Sequence, residues 1–161
     1  MESIYGKQEQ ALPEILGAFR TRIEEIGARV KKRTGSAPYE HLICRVKSDE
    51  SMREKCRRKG LPETAEAALR EIHDAIGVRV VCRFIDDVYV VARALKELSG
   101  VTVFEEKDYI RDVKPNGYRS YHMIVSLEAP FEDVAGKNPG RFFVELQLRT
   151  LAMDSWASLE H

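Results

Sequence analysis

The segment KPNGYRSYH, residues 114–122, places a turn directly before a run of aromatic, cationic and hydroxyl side chains. Asn116 and Gly117 both tolerate positive φ, so the turn is expected at these two residues. Successive side chains of a strand point to opposite faces, so Tyr118 and His122 share one face of the strand that follows. These groups favour a ligand-binding face over a solvated one, which is usually filled with Lys, Glu and Thr.

The last predicted strand also separates an apolar face from a polar face, and the polar face carries Glu145, Gln147 and Arg149. A third predicted strand, 78–84, has Arg79 on its polar face. The plain alternative is an antiparallel sheet with one side open to water. Polar faces that collect Arg, His and Gln with a single Glu favour a bound ligand instead.

The segment RVKSDESMREKCRRKG, residues 45–60, contains seven Lys or Arg residues against three acids, although the chain as a whole has zero net charge. A basic cluster of this density suits phosphate groups. In the helix predicted here, Ser51 and Lys55 lie four residues apart and share one face, near an N-terminus whose free amides favour anions. Either Arg58 or Lys59 extends this face by one more turn. The alternative is a helix whose basic face is only solvated.

Two carboxylates that are far apart in the sequence, Asp74 and Glu145, are candidate ligands for one Mg²⁺ ion. Asp74 precedes the predicted strand 78–84, whereas Glu145 lies on the polar face of the last strand. If these strands are neighbours, both carboxylates face one site, and Mg²⁺ prefers a few hard oxygen ligands together with substrate phosphates. The sequence alone leaves that adjacency open.

These side chains need a scaffold of alternating helices and strands. Apolar residues at steps of three and four from Leu12 to Val30 predict an amphipathic helix with one buried face. Capping residues and breakers predict further helices after Ser48 and Pro62, over 88–98, and after Thr150. Alternation and β-branched runs predict five strands, at 39–46, 78–84, 101–105, 118–127 and 141–149. The predicted fold class is α/β (α+β).

Composition limits the class of protein further. A chain of 161 residues with 43% hydrophobic content can bury one core, so a single domain over 1–161 is expected. Balanced totals of 26 basic and 26 acidic residues predict neither a nucleic acid nor a membrane as partner. The three cysteines lack CxxC spacing, which argues against a disulfide framework and a zinc site. Without an 18-residue apolar run or a basic-then-apolar leader, the sequence predicts a cytoplasmic protein.

Four blocks of the sequence occur in order and together resemble the synthetase domain of the RelA/SpoT alarmone synthetases, most closely the small stand-alone members. The blocks are RVKSDESMREK, HDAIGVRVVCRFIDDVY, EKDYIRDVKPNGYRSYHMIVS and VELQLRTLAMDSWASLEH. The resemblance implies a nucleotidyltransferase-like mixed five-stranded sheet packed by helices. It also implies transfer of the β,γ-diphosphate of ATP to the ribose 3′-hydroxyl of GDP or GTP, which gives ppGpp or pppGpp plus AMP.

The resemblance assigns roles to individual residues on the donor side. Six positions match the ATP contacts of the family: Arg45, Lys47, Ser51, Lys55, Arg58 and Arg79. Of these, Arg45 and Arg79 match the pair that sandwiches the adenine ring, and the others match phosphate contacts. Asp74 and Glu145 match the Mg²⁺ ligands, and Glu145 also matches the general base that takes the proton of the 3′-hydroxyl.

On the acceptor side, five positions match contacts to the guanine nucleotide or shape their loop: Lys114, Asn116, Tyr118, His122 and Gln147. Tyr118 matches the aromatic residue that stacks on guanine. Small relatives are commonly homotetramers, so a homo-oligomer is expected. Relatives continue into further helix where this sequence stops at SLEH, so the domain is expected to lack its C-terminal helical tail.

Two other functions stay open at this point. Toxin-type relatives resemble the same family but pyrophosphorylate the 3′ end of tRNA, which would make a nucleic acid the acceptor. A nucleotide-binding regulator that has lost catalysis is the second alternative, although the presence of both Asp74 and Glu145 argues against it. The long members of the family carry a separate His-Asp hydrolase domain, and no hydrolase activity is expected here.

Overall fold

In a computed structural model of the chain, which describes residues 2–160, five strands form one mixed sheet packed by helices. The elements follow in the order α1 (Ala11–Thr34), β1 (His41–Val46), α2 (Asp49–Arg58), β2 (Ile76–Cys82), α3 (Ile85–Lys96), β3 (Val101–Asp108), β4 (Tyr121–Ala129), β5 (Gly140–Thr150) and α4 (Leu151–Glu160). A short 3₁₀ turn, Gly6–Gln8, precedes α1, and a short π-helical turn, Ala67–Glu71, precedes β2. The predicted fold class is confirmed.

The sheet order is β1-β2-β5-β4-β3, and β2 and β5 run parallel while the other neighbours are antiparallel. Gly77 of β2 therefore lies opposite Glu145 of β5, and Arg79 lies opposite Gln147. The strands that follow Asp74 and carry Glu145, whose adjacency the sequence left open, are therefore neighbours in the sheet. Burial alternates along β4 and β5, so each strand has one core face and one open face, as predicted.

Helix α1 covers the core face with the apolar residues that the sequence spacing selected. Leu12, Phe19, Ile23 and Ile26 are each at most 2% exposed, and they pack in one cluster with the core faces of the strands. The helix ends at Gly35, whose φ of +90° closes it with a bond from the Gly35 N–H to a carbonyl of the last turn. Among the described residues, no helix is both long enough and apolar enough to cross a membrane.

The predicted caps of the two site helices are confirmed. The Ser48 hydroxyl accepts a hydrogen bond of 3.2 Å from the Ser51 N–H at the start of α2. The Thr150 hydroxyl accepts one of 3.3 Å from the Met153 N–H at the start of α4. The helix predicted after Pro62 is shorter than expected, because the chain is already extended at Ile72, where it turns toward β2.

The prediction of a strand from residue 118 was wrong at its start, since β4 begins at Tyr121. Residues 113–120 form a loop, in which the Gly117 N–H donates to the Lys114 carbonyl at 2.8 Å and Gly117 has a φ of +87°. Pairing with β5 begins only at Tyr121, which lies opposite Leu148. Tyr121 lies on the core side and is 5% exposed.

Candidate active site

The open face of the sheet contains a cavity of about 190 Å³ at the junction of β1, β2 and β5. Its lining includes five of the residues predicted from the sequence: Arg45, Asp74, Arg79, Glu145 and Gln147. The parallel pairing of β2 with β5 is what brings these side chains together. The two candidate carboxylates therefore face one cavity, as the metal hypothesis requires.

Asp74 is held by two lysines from different elements. Its Oδ2 accepts from Lys47 Nζ at 3.2 Å and from Lys55 Nζ at 2.7 Å. Lys47 follows β1 directly, while Lys55 projects from α2. Burial raises the pKa of Asp74, but the hydrogen bonds and charges of the two lysines outweigh burial and hold that pKa below its ordinary value. Asp74 is therefore a carboxylate at neutral pH.

The Asp74 and Glu145 pair fits a divalent cation. Asp74 Oδ1 is buried and has no hydrogen-bond partner, so one oxygen is left for a further ligand. No cluster of three or more possible metal ligands occurs within residues 2–160. Mg²⁺ commonly takes one or two carboxylates and completes its shell with water and substrate phosphates, so two carboxylates are enough.

Arg45 and Arg79 lie on the same face of the sheet and line the same cavity. In the β1–β2 register, Arg45 lies opposite Gly77 and Arg79 lies two residues further along, so the two arginines are diagonal neighbours on one face. Diagonal neighbours across two strands are within reach of each other's long side chains, so both guanidinium groups can serve one cavity. The Arg45 side chain lies over Gly77, where a Cβ would be 3.9 Å from its Cγ and Nε.

The acceptor-side residues gather beside this cavity around the hydroxyl of Tyr118. The hydroxyl lies 2.8 Å from His122 Nε2. Lys114 Nζ lies over two tyrosine rings, 4.6 Å from the centroid of Tyr109 and 5.5 Å from that of Tyr118. Burial, followed by the nearby charges of Arg149 and two lysines, lowers the pKa of His122 to about 4. The imidazole is therefore neutral at physiological pH, and its Nε2 can accept the proton of the tyrosine hydroxyl.

Four predicted site residues remain to be placed: Asn116, Gln147, Ser51 and Arg58. Asn116 Oδ1 accepts from the Tyr118 N–H at 3.0 Å, so this side chain shapes the loop. Gln147 Nε2 donates to Glu145 Oε1 at 2.8 Å and fixes that carboxylate. Ser51 and Arg58 are both exposed on α2 and take no part in the ion pairs of Asp74. Their roles as phosphate contacts stay predictions.

Two residues of this site had no assigned role from the sequence. Arg149 donates to the Tyr118 hydroxyl at 2.8 Å, and Asp154 accepts from both Arg149 and Arg79, at 3.2 and 3.4 Å. The strand alternation already put Arg149 on the polar face with Gln147, which was the available signal. No sequence pattern pointed to Asp154, because the position of this residue depends on how α4 packs against β5 and β2.

Comparison with known proteins agrees with this geometry. Residues 44–161 match the family model described as a region found in RelA/SpoT proteins. GTP pyrophosphokinase YwaC of Bacillus subtilis (strain 168) is 40% identical over 146 residues, which cover 91% of this chain and 68% of the relative. GTP pyrophosphokinase YjbM of the same organism is 38% identical over 153 residues, covering 89% and 68%. The crystal structure of the small alarmone synthetase 1 from Bacillus subtilis bound to its product pppGpp superimposes with a TM-score of 0.75 at 35% identity, covering 98% of this chain and 74% of the other.

Proposed function

As this chain belongs to the RelA/SpoT family, we infer that it is a GTP pyrophosphokinase. It transfers the β,γ-diphosphate of ATP to the ribose 3′-hydroxyl of GDP or GTP and releases ppGpp or pppGpp with AMP. The observation that carries this function is that one cavity is lined by two arginines and two carboxylates. The arginines are suited to stack on a nucleotide base, and the carboxylates are suited to bind a metal ion and to accept a proton. Its geometry fits a reaction that relies on positioning and electrostatics.

The reaction requires the acceptor oxygen to approach the β-phosphorus opposite the leaving oxygen of AMP. The bond from the 3′-oxygen to the β-phosphorus forms as the bond from that phosphorus to the α,β-bridging oxygen breaks, and AMP keeps the bridging oxygen. Glu145 takes the proton of the 3′-hydroxyl, and the hydrogen bond from Gln147 orients its carboxylate. Placing the acceptor beside Glu145 is therefore the main task of the protein.

We propose Mg²⁺ as the cofactor, held by Asp74 and Glu145 together with substrate phosphates. The free Oδ1 of Asp74 supports this assignment. When bound, the ion offsets negative charge on the transferring oxygens. Lys47 and Lys55, which pair with Asp74, are assigned to the ATP phosphates together with Ser51 and Arg58.

We assign the adenine and guanine rings to opposite ends of the open face of the sheet. Arg45 and Arg79 hold the adenine ring, because guanidinium planes stack on aromatic faces. Tyr118 stacks on guanine, and Lys114, His122 and Gln147 position the acceptor. The neutral state of His122 supports a role as a hydrogen-bonding group rather than a phosphate counter-ion.

Incubation of the purified chain with γ-labelled ATP and GDP, GTP, GMP or tRNA tests the proposed function. We expect labelled ppGpp or pppGpp and one AMP for each product molecule. Label that appears on the 3′ end of tRNA instead would establish the toxin-type reaction. Nucleotide binding without any AMP release would establish a silent regulator.

Replacing Tyr118 by alanine is expected to raise the KM for the guanine nucleotide by about fivefold or more, because base stacking on an aromatic ring contributes roughly 1–3 kcal/mol. The KM for ATP should change much less. Steady-state kinetics with each substrate varied in turn measure both constants. Equal effects on the two substrates would mark Tyr118 as a structural residue.

We also propose that the enzyme is cytoplasmic and forms a homo-oligomer, with the homotetramer of small relatives as the specific expectation. The resemblance to these relatives supports the assembly. Large apolar side chains that stay exposed in the single chain, Phe84 and Leu151 among them, are consistent with a subunit contact. Sedimentation analysis of the purified chain measures its oligomeric state directly.

A further inference from the structure

The guanidinium of Arg149 is buried and joins three side chains. The residue is 5% exposed. Its Nη2 donates two hydrogen bonds of 2.8 Å, one to the Tyr118 hydroxyl and one to Gln147 Oε1. Its Nη1 pairs with Asp154 Oδ1 at 3.2 Å. Burying a cation is costly unless hydrogen bonds and an opposite charge compensate for lost water, so these contacts hold the guanidinium in one orientation.

The two neutral partners of Arg149 belong to different parts of the reaction. Tyr118 is the proposed stacking platform for the acceptor base, whereas Gln147 donates to Glu145 Oε1, the carboxylate proposed as the base. A single guanidinium therefore sets the distance between the platform and the carboxylate. That distance decides whether the 3′-hydroxyl of a stacked nucleotide reaches Glu145.

The ring of Tyr118 has aromatic neighbours in Tyr109 and Trp156, at 6.3 and 6.4 Å between centroids, but its hydrogen bonds to the sheet come from its hydroxyl. The backbone bonds of Tyr118 stay inside the loop, from its N–H to Asn116 Oδ1 and from its carbonyl to the Lys114 N–H. The hydroxyl, by contrast, contacts strand residues, namely His122 and Arg149. The hydroxyl contacts are therefore the hydrogen bonds that tie the Tyr118 ring to the sheet.

We propose that Arg149 is a positioning residue that fixes the acceptor platform Tyr118 relative to Glu145, and this inference rests on the proposed function. A lysine keeps the charge but presents a single nitrogen instead of a planar fork. It cannot reproduce the geometry that satisfies Tyr118, Gln147 and Asp154 together. The residue acts through these neighbours, with no contact to the reacting atoms required.

The test compares wild type with Arg149→Lys in two measurements. Steady-state kinetics give the KM values for GDP and ATP, and the fluorescence of Trp156 gives the dissociation constant for GDP without turnover. Trp156 is the sole tryptophan of the chain, and its ring centroid lies 6.4 Å from that of Tyr118. Both GDP constants should rise by about tenfold or more, as expected for a lost hydrogen bond to a charged group. The KM for ATP should change by less than about threefold, since the hydroxyl that Arg149 holds belongs to Tyr118, which is assigned to the guanine nucleotide and not to ATP.

Tyr118→Phe is the second variant, because it removes only the hydroxyl that accepts from Arg149 and keeps the stacking ring. It should also raise the GDP constants, and the double variant should raise them less than the product of the two single effects. Arg141→Lys, an exposed arginine of the same strand, is the matched control and should behave as wild type. Thermal midpoints of all variants report on the fold.

Wild-type GDP constants in either single variant, or fully multiplicative effects in the double variant, would overturn the positioning role. If Arg149→Lys does not fold, the result for Tyr118→Phe decides. Failure of the proposed function is a separate outcome, because wild type itself would then release no AMP with GDP or GTP.

Discussion

Glu145→Gln is expected to lower kcat by at least about a hundredfold, because general-base catalysis contributes roughly 10²–10⁴-fold and the same carboxylate is a proposed metal ligand. The amide has nearly the volume of the carboxylate and keeps an oxygen that accepts from Gln147. The fold and the local hydrogen bond should therefore survive. AMP release at saturating ATP and GDP measures kcat, and circular dichroism with a thermal midpoint checks the fold.

The matched control for this variant is Glu128→Gln, which makes the same chemical change at an exposed position of β4. It should keep wild-type turnover. If Glu145→Gln kept more than about a tenth of the wild-type kcat, the loss would be smaller than any removal of a general base should cause. The assignment of Glu145 as base would then be wrong.

Asp74→Asn is expected to lower kcat/KM for ATP by about a hundredfold or more and to raise the Mg²⁺ concentration needed for half-maximal activity. The change removes one anionic ligand, and it also leaves Lys47 and Lys55 close together without their shared carboxylate. Titration of activity with Mg²⁺ at fixed ATP and GDP measures the shift. An asparagine oxygen still accepts one lysine, so the local fold should persist.

Asp86→Asn, at an exposed position in the first turn of α3, controls for the loss of one negative charge. It should leave the Mg²⁺ dependence unchanged. A normal Mg²⁺ titration in Asp74→Asn together with near-normal turnover would show that Asp74 only neutralises the two lysines. The metal would then have to be held by Glu145 and substrate phosphates.

Residue patterns within single helices and strands predicted much of this fold from the sequence. The periodicity from Leu12 to Val30 identified the buried face of α1, and the serine and threonine before α2 and α4 identified their starts. Alternation along β4 and β5 separated core from open faces. These features depend on residues within one element, so a single stretch of sequence contains enough information to define them.

The loop before β4 shows where local patterning failed. Residues 118–120 continue the alternation of the strand, yet the turn at Asn116 and Gly117 keeps them out of the sheet. Both conformations are compatible with the local sequence. The register of β4 with β5 begins at Tyr121, opposite Leu148, and that pairing involves residues distant in the chain, which a local pattern does not specify.

The sequence by itself determined which residue types were available for chemistry, namely a basic cluster, two carboxylates and a polar face with aromatic residues. Only the tertiary structure decided that Asp74 and Glu145 share one cavity, because this follows from the parallel pairing of β2 with β5. It also decided that Lys47 and Lys55 converge on Asp74 and that Arg149 joins Tyr118 to Gln147. The physical reason is that side-chain contacts across elements depend on strand order and helix packing, which no single segment specifies.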